Sequence, residues 1–239
     1  MRRLISDAKR GALASDHRCA VWPVEGEAMS GLDPGTSDGL GTMQRLDDGQ
    51  ADAGLASYAV ADELNAHDLD VLDLTSGSCH YLYVTNAPNA FSEIIISNHG
   101  HVSWEYRPFR SSRLGMAQLM GMVLDVLDAS GDRRQTVTWR WRGHLLGAGA
   151  DRAFRRCGMR VRRVENRCTR SARGLYRAEI VVTNPTRSER GRARLSDDDT
   201  IRWECRLSWP TPRTPGIDPG EFAATIATAL ARAAEGQRH

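Results

Sequence analysis

The stretch Trp104-Glu105-Tyr106-Arg107 recurs later in the chain as Trp203-Glu204-Cys205-Arg206. In both copies large apolar residues alternate with charged residues, and this period of two predicts a β-strand with one buried and one polar face. The repeated pattern predicts that the tryptophans pack in the core. It also predicts that Glu105 and Glu204 pair with arginines on neighbouring strands.

A second match supports an internal repeat. Val84-Thr85-Asn86 recurs as Val182-Thr183-Asn184, at a separation of 98 residues, whereas the tryptophan patterns are 99 residues apart. The matches occur in the same order at nearly the same spacing. We therefore predict that residues 51–130 and residues 131–239 are tandem copies of one module.

Each module is predicted to contain a helix, an antiparallel meander of four strands and a closing helix. Apolar residues at helical spacing predict helices over residues 55–66, 116–128, 145–157 and 219–234. Runs rich in β-branched and aromatic residues predict strands over residues 71–74, 81–85, 92–97, 102–106, 161–164, 176–183, 191–195 and 201–207. The fold class is therefore α+β, and two such modules are expected to pack as a pseudo-dimer.

This order of elements over residues 51–235 resembles the type III secretion chaperone-like fold, in which dimeric modules hold client polypeptides. The resemblance implies a chaperone-like protein that binds another polypeptide. It is carried by element order alone and transfers no residue roles. The double-stranded RNA-binding domain has a related element order, but the basic cluster that begins its second helix has no counterpart at Gly115-Met116-Ala117 or Pro219-Gly220-Glu221.

Charge is distributed unevenly along the 239 residues. The net charge of +2 conceals 9 basic and 18 acidic residues up to residue 128, against 23 basic and 12 acidic residues after it. Residues 1–50 are rich in Gly, Asp, Ser and Pro without apolar periodicity, which predicts a flexible or disordered lead. The first module is therefore acidic and the second is basic.

No arrangement of residues in the sequence predicts catalysis or a cofactor. Phosphate-binding loops and nucleophile motifs are missing from the sequence. Cys79, His80, His99, His101 and Glu105 lie near one another in sequence, but we expect a solvated hairpin turn rather than a metal site. The five cysteines are scattered, without a CxxC pair, which favours reduced thiols in a cytoplasm.

Arginines concentrate early in the second module. Residues 152–177 contain ten arginines and one acidic residue, Glu165. The candidate binding surface comprises Arg152, Arg155, Arg156, Arg160, Arg162 and Arg163. Three interpretations remain open: the arginines bind phosphates or acidic proteins, they neutralise the acidic first module, or they form a solvated face.

Three functions follow from these patterns. The leading hypothesis is a cytoplasmic, non-enzymatic adaptor or chaperone-like protein that engages another polypeptide and no membrane. The second is a nucleic-acid-binding accessory protein that uses the arginine surface, with stacking from Trp139 and Trp141. The third is a small-molecule binder or enzyme with a cleft between the modules, lined by Trp104, Glu105, Trp203 and Glu204.

Overall fold

The structure of the chain is a computed structural model. It describes residues 39–76, 79–97, 100–109, 114–128, 148–166, 177–196, 199–208 and 215–235. The predicted lead up to residue 38, and Trp139 and Trp141, lie outside the described residues. Most of the arginine-rich segment after residue 166 also lies outside them.

The described residues form four helices and eight strands, which establishes the predicted α+β class. The helices are α1 (Gly39–Ala66), α2 (Met116–Val126), α3 (Ala148–Arg156) and α4 (Pro219–Glu235). The strands are β1 (Val71–Ser76), β2 (Cys79–Val84), β3 (Ala90–Ile96), β4 (His101–Pro108), β5 (Arg160–Asn166), β6 (Arg177–Thr183), β7 (Arg192–Ser196) and β8 (Ile201–Arg206). The order helix, four strands, helix thus occurs twice along the chain.

All eight strands belong to one antiparallel sheet. Their order is β1-β2-β3-β4-β8-β7-β6-β5, so β4 and β8 meet in the middle, and β1 and β5 form the two edges. At the centre Trp104 pairs with Trp203, Glu105 pairs with Arg202, and Ser103 pairs with Glu204. The two halves of the chain are therefore joined by a continuous ladder of backbone hydrogen bonds.

The core lies on one face of this sheet. Trp104 and Trp203 are fully buried there, beneath apolar residues of the helices such as Val60, Met122 and Phe222. The helices cover this face because their apolar residues recur every three or four positions. We call the opposite face the open face, since none of the described helices packs its apolar stripe against it.

The predicted strands and helices are confirmed with small shifts at their ends, but two features differ from expectation. Helix α1 begins at Gly39 rather than near residue 55, so it extends into the segment predicted as a lead. The connection between β6 and β7 is also longer than the connection between β2 and β3. It contains a short 3-10 helix, Ser188–Arg190.

Pairing within the two halves also differs in register. Tyr81 of β2 pairs with Ile95 of β3, whereas Glu179 of β6 pairs with Ser196 of β7. The sequence matches would place Arg194 opposite Glu179, so β7 is shifted by two residues relative to that expectation. A shift of two residues leaves every side chain on its original face, because the strand period is two.

Candidate functional site

The tryptophans of the repeated pattern are structural residues. Trp104 donates its indole N–H to Ser92 Oγ at 2.9 Å, and Trp203 donates to the Arg190 carbonyl oxygen at 2.6 Å. The Trp203 ring also stacks on Phe222 of α4, with ring centres 4.9 Å apart. Both indoles are therefore buried and hydrogen-bonded on the helix side of the sheet.

Glu105 lies on the open face and is held by arginines. Its carboxylate accepts hydrogen bonds from Arg202, its partner on β8, and from Arg107 on its own strand. Burial alone would raise the pKa of Glu105, but the two guanidinium groups outweigh burial and hold this pKa below its usual range. Glu105 in turn raises the pKa of Arg202 against the effect of desolvation.

Glu204 also lies on the open face, and its arginines come from β7. Its carboxylate accepts a hydrogen bond from Arg192, and the Nε of Arg194 lies 3.2 Å away. The structure therefore does not bring Trp104, Glu105, Trp203 and Glu204 together in one cleft. Residues next to each other on a strand project to opposite faces, so the sheet itself separates the two tryptophans from the two glutamates.

Several arginines do neutralise acidic residues of the first half of the chain. Arg187 and Arg190 form ion pairs with Asp128, and Arg232 pairs with Asp125 through two hydrogen bonds. Together with the pairing of Arg202 and Glu105, these contacts join α2 and β4 to the second half. The arginines of these four ion pairs lie outside the six residues of the predicted surface.

The predicted arginine surface lies at the far edge of the sheet. Its six residues are all exposed: Arg152, Arg155 and Arg156 on α3, and Arg160, Arg162 and Arg163 on β5. Arg155 forms an ion pair with Asp151 at 2.9 Å and donates to the Val161 carbonyl oxygen at 2.6 Å. The sheet order places β5 seven strands away from β1, so this surface does not pair with the edge strand of the acidic half.

Three of the predicted arginines line a concavity of about 400 Å³. We call it the arginine trough, and define it by its lining residues Arg155, Arg160, Val161, Arg162, Val181, Thr183 and Arg192. Val181, Thr183 and Arg192, which come from β6 and β7, were not among the predicted site residues. Alternation along those strands could have assigned these residues to the open face, but only the pairing of the strands brings them beside β5.

The opposite edge of the sheet carries exposed apolar side chains. Leu72 and Leu74 of β1 project to the open face and are 44% and 49% exposed. Beside them the rings of Tyr83 and Phe91 lie 5.6 Å apart, and the Arg107 guanidinium lies 5.6 Å from the Phe91 ring centre. These leucines were not among the predicted site residues, although their alternation with Asp73 indicates that they lie on the opposite face from it.

The candidate metal ligands are dispersed. His80 lies on the helix side, 3.3 Å from the Thr75 hydroxyl, whereas His101 lies on the open face. His99 lies outside the described residues. Within the ranges that the structure describes, no three His, Cys, Asp or Glu side chains form a group suited to a metal ion.

No known protein family, curated protein or solved structure matches this chain. Among the helices described, none is both long enough and apolar enough to cross a membrane. A functional assignment must therefore rest on the two unlike edges of the sheet.

Proposed function

We propose that the chain is a non-enzymatic binding protein, adaptor or chaperone-like, that engages another polypeptide along strand β1. The observation that carries this proposal is an edge strand that exposes two leucines, Leu72 and Leu74, and no charged side chain. Natural edge strands are commonly protected by charged side chains. The one charged residue of β1, Asp73, lies on the helix side and accepts a hydrogen bond from the Ser57 hydroxyl at 2.8 Å.

The backbone of β1 supports strand addition. Thr85 N–H donates to the Asp70 carbonyl oxygen at 2.8 Å, so Asp70 belongs to the set of residues whose backbone groups point at β2. In an antiparallel ladder this set alternates with residues whose groups point away. The N–H and C=O groups of Val71, Asp73 and Thr75 therefore form the outer edge of the sheet, where an extended peptide could pair.

Strand β5 is a poorer edge for the same purpose. The Arg155 side chain already donates a hydrogen bond to the outward carbonyl of Val161. Three exposed residues of β5 are arginines, Arg160, Arg162 and Arg163, and Val164 is half-buried. A peptide added there would displace Arg155 and meet three positive charges. An apolar peptide therefore favours β1, where Leu72 and Leu74 would gain buried area.

A photo-crosslinking residue in place of Leu74 tests the proposal in cells. Irradiation should attach one polypeptide covalently, to be identified by mass spectrometry. The same residue in place of Thr228, an exposed position of α4, serves as the matched control. Equal capture at both positions would exclude a specific surface on β1.

The captured segment then allows a second measurement on purified protein. We expect its binding to slow hydrogen exchange at the amides of Val71, Asp73 and Thr75, which point away from β2. Replacing Leu72 and Leu74 by Lys should weaken binding at least about tenfold, because each leucine loses buried apolar area. A segment that binds without protecting these amides would contradict strand addition.

We further propose that the two halves are copies of one module packed as a pseudo-dimer, in the manner of type III secretion chaperone-like modules. The twofold order helix, four strands, helix supports this proposal. Pairing at the centre supports it too: Trp104 meets its own counterpart, Trp203, as at the axis of an isologous interface. The differing register of β6 and β7 requires the copies to have diverged after duplication.

A cytoplasmic location remains part of the proposal, and the thiols of Cys157 and Cys205, which form no disulfide, support it. Nucleic-acid binding is the second candidate function. It is favoured by the exposure of all six arginines of the predicted surface. It requires affinity for DNA or RNA that falls steeply as salt is added.

A further inference from the structure

The arginine trough is built by two rows of paired residues on the open face. In the first row Arg160 of β5 pairs with Thr183 of β6, and Thr183 pairs with Arg192 of β7. In the second row Arg162 pairs with Val181, two positions along the strands. Adjacent strands lie about 4.8 Å apart, so the backbones of β5 and β7 are separated by about 10 Å.

The trough exists because β6 carries short side chains between two strands that carry long ones. Val181 and Thr183 form its floor, while Arg160 and Arg162 form one wall and Arg192 forms the other. Arg155 reaches over from α3 at the edge of the sheet. The resulting volume of about 400 Å³ falls within the range of small-molecule sites, about 300–1,000 Å³.

The trough carries an excess of positive charge. Arg155 is paired with Asp151, and Arg192 is paired with Glu204. Arg160 and Arg162 are exposed, and neither has an acidic partner among the residues that the structure describes. No carboxylate belongs to the lining residues, so two guanidinium charges remain for a ligand.

We propose that the arginine trough binds the phosphate group of a small phosphate ester. A phosphate monoester carries a charge of about −1.5 to −2 at neutral pH and offers three strong acceptor oxygens. Its charge matches that of Arg160 and Arg162, whose planar guanidinium groups can each donate two hydrogen bonds to it. The Thr183 hydroxyl on the floor supplies a further donor.

Two other anions fit the trough less well. A carboxylate carries one charge and two oxygens, so a single acidic side chain would leave one guanidinium without a partner. Single-stranded nucleic acid gains affinity from bases stacked on aromatic rings, and no aromatic residue is among the described residues that line the trough. A compact dianion can pair with Arg160 and Arg162 at once.

Calorimetric titration of the full chain with phenyl phosphate, at low ionic strength and neutral pH, tests the proposal. We expect Arg160→Gln and Arg162→Gln each to weaken binding about tenfold, because each removes charge-assisted hydrogen bonds. Arg163→Gln is the matched control, since Arg163 lies on the same strand but projects to the helix side. It should bind phenyl phosphate as the unmodified chain does.

Further titrations distinguish which class of anion the trough binds: a phosphate ester, an acidic peptide or a nucleic acid. Binding should weaken when the pH is lowered below the second pKa of phosphate, about 6, because the ligand becomes a monoanion while arginine stays charged. Tighter binding of a glutamate-rich peptide would overturn the proposal in favour of an acidic partner. Tighter binding of a single-stranded oligonucleotide would overturn it in favour of nucleic acid.

Absence of phenyl phosphate binding, or equal loss in Arg163→Gln, would also overturn the proposal. These outcomes are independent of polypeptide binding at β1, because the trough shares no residue with that strand. A chain with substitutions of Leu72 and Leu74 should retain its phosphate affinity.

Discussion

Glu105 is both buried and paired with arginine. The sequence predicted the pairing but not the burial. The alternation of Trp104, Glu105 and Tyr106 predicted an outward carboxylate paired with a neighbouring arginine, and the pairing with Arg202 confirms that prediction. The 7% exposure of Glu105 could not be predicted, because it depends on the strand pairing that places Glu93 and Arg202 on either side of it. A single residue thus links two strands from different halves of the chain.

We expect Glu105→Gln to lower the free energy of unfolding at neutral pH by about 1 kcal/mol. The loss is modest because Arg202 and Arg107 are about half exposed, which screens the ion pairs. The pKa of Glu105 is lower in the folded state, so its stabilising contribution is complete above the unfolded value of 4.5 and is lost as the pH falls through the folded value.

Urea denaturation across the acidic range measures this contribution. The stability of Glu105→Gln should decline less than that of the unmodified chain as the pH falls below about 5. Glu189→Gln, which changes an exposed glutamate of the 3-10 helix, is the matched control. An identical pH dependence for the unmodified chain and Glu105→Gln would contradict the assigned role of the Glu105 carboxylate.

At the scale of elements, the entry into β7 depends on close contact with β8. Gly191 has a φ of 72°, and a Cβ atom at this position would lie 1.9 Å from the Glu204 carbonyl oxygen. The backbone of β8 cannot yield without disturbing the central ladder. Only glycine therefore fits where the chain leaves the 3-10 helix and joins the sheet.

We expect Gly191→Ala to destabilise the fold by about 3 kcal/mol or more, because backbone strain and a steric clash add together. Gly158→Ala is a matched control: Gly158 has a similar φ of 78°, but no atom lies within 4 Å of its Cβ position. It should cost about 1 kcal/mol, the penalty for left-handed backbone alone. Equal losses for the two variants in chemical denaturation would rule out the close approach to β8 as the cause.

Helices and strands could be predicted where the periodicity of the sequence is strong. Features that depend on pairing between strands distant in sequence could not be predicted. Strands such as β4 and β8 follow from alternation, and α4 follows from its helical spacing. The start of α1 at Gly39 was missed because its first turns are rich in Gly and Asp, which have low helix propensity. The arginine trough was missed in part because Arg192 reaches it only through the register of β6 with β7.

At the scale of the whole molecule, the central pairing of β4 with β8 makes the two halves interdependent. Each half alone would expose the unpaired backbone groups of β4 or β8 at an edge and leave Trp104 or Trp203 without its cross-strand neighbour. Two ion pairs between the halves would also be lost. They join Arg232 to Asp125 of α2, and Arg190 to Asp128, which follows α2. Neither half is therefore expected to be stable by itself.

Dividing the chain after residue 130 tests this interdependence. Residues 1–130 and residues 131–239 produced separately should aggregate or remain unfolded, whereas co-expression should yield a one-to-one complex with the helix and strand content of the intact chain. Circular dichroism and sedimentation measure both outcomes. Two halves that fold separately and do not associate would contradict the role of the central ladder.

The asymmetry of the sheet has a consequence for stoichiometry. In a true homodimer of this shape both edges would be identical, and each ligand would meet two equivalent sites. Here β1 presents leucines and β5 presents arginines, so any ligand that selects one edge finds a single copy of it in each chain. If each edge binds its ligand as proposed, the molecule is monovalent at each edge and would hold two different ligands without crosslinking copies of either one.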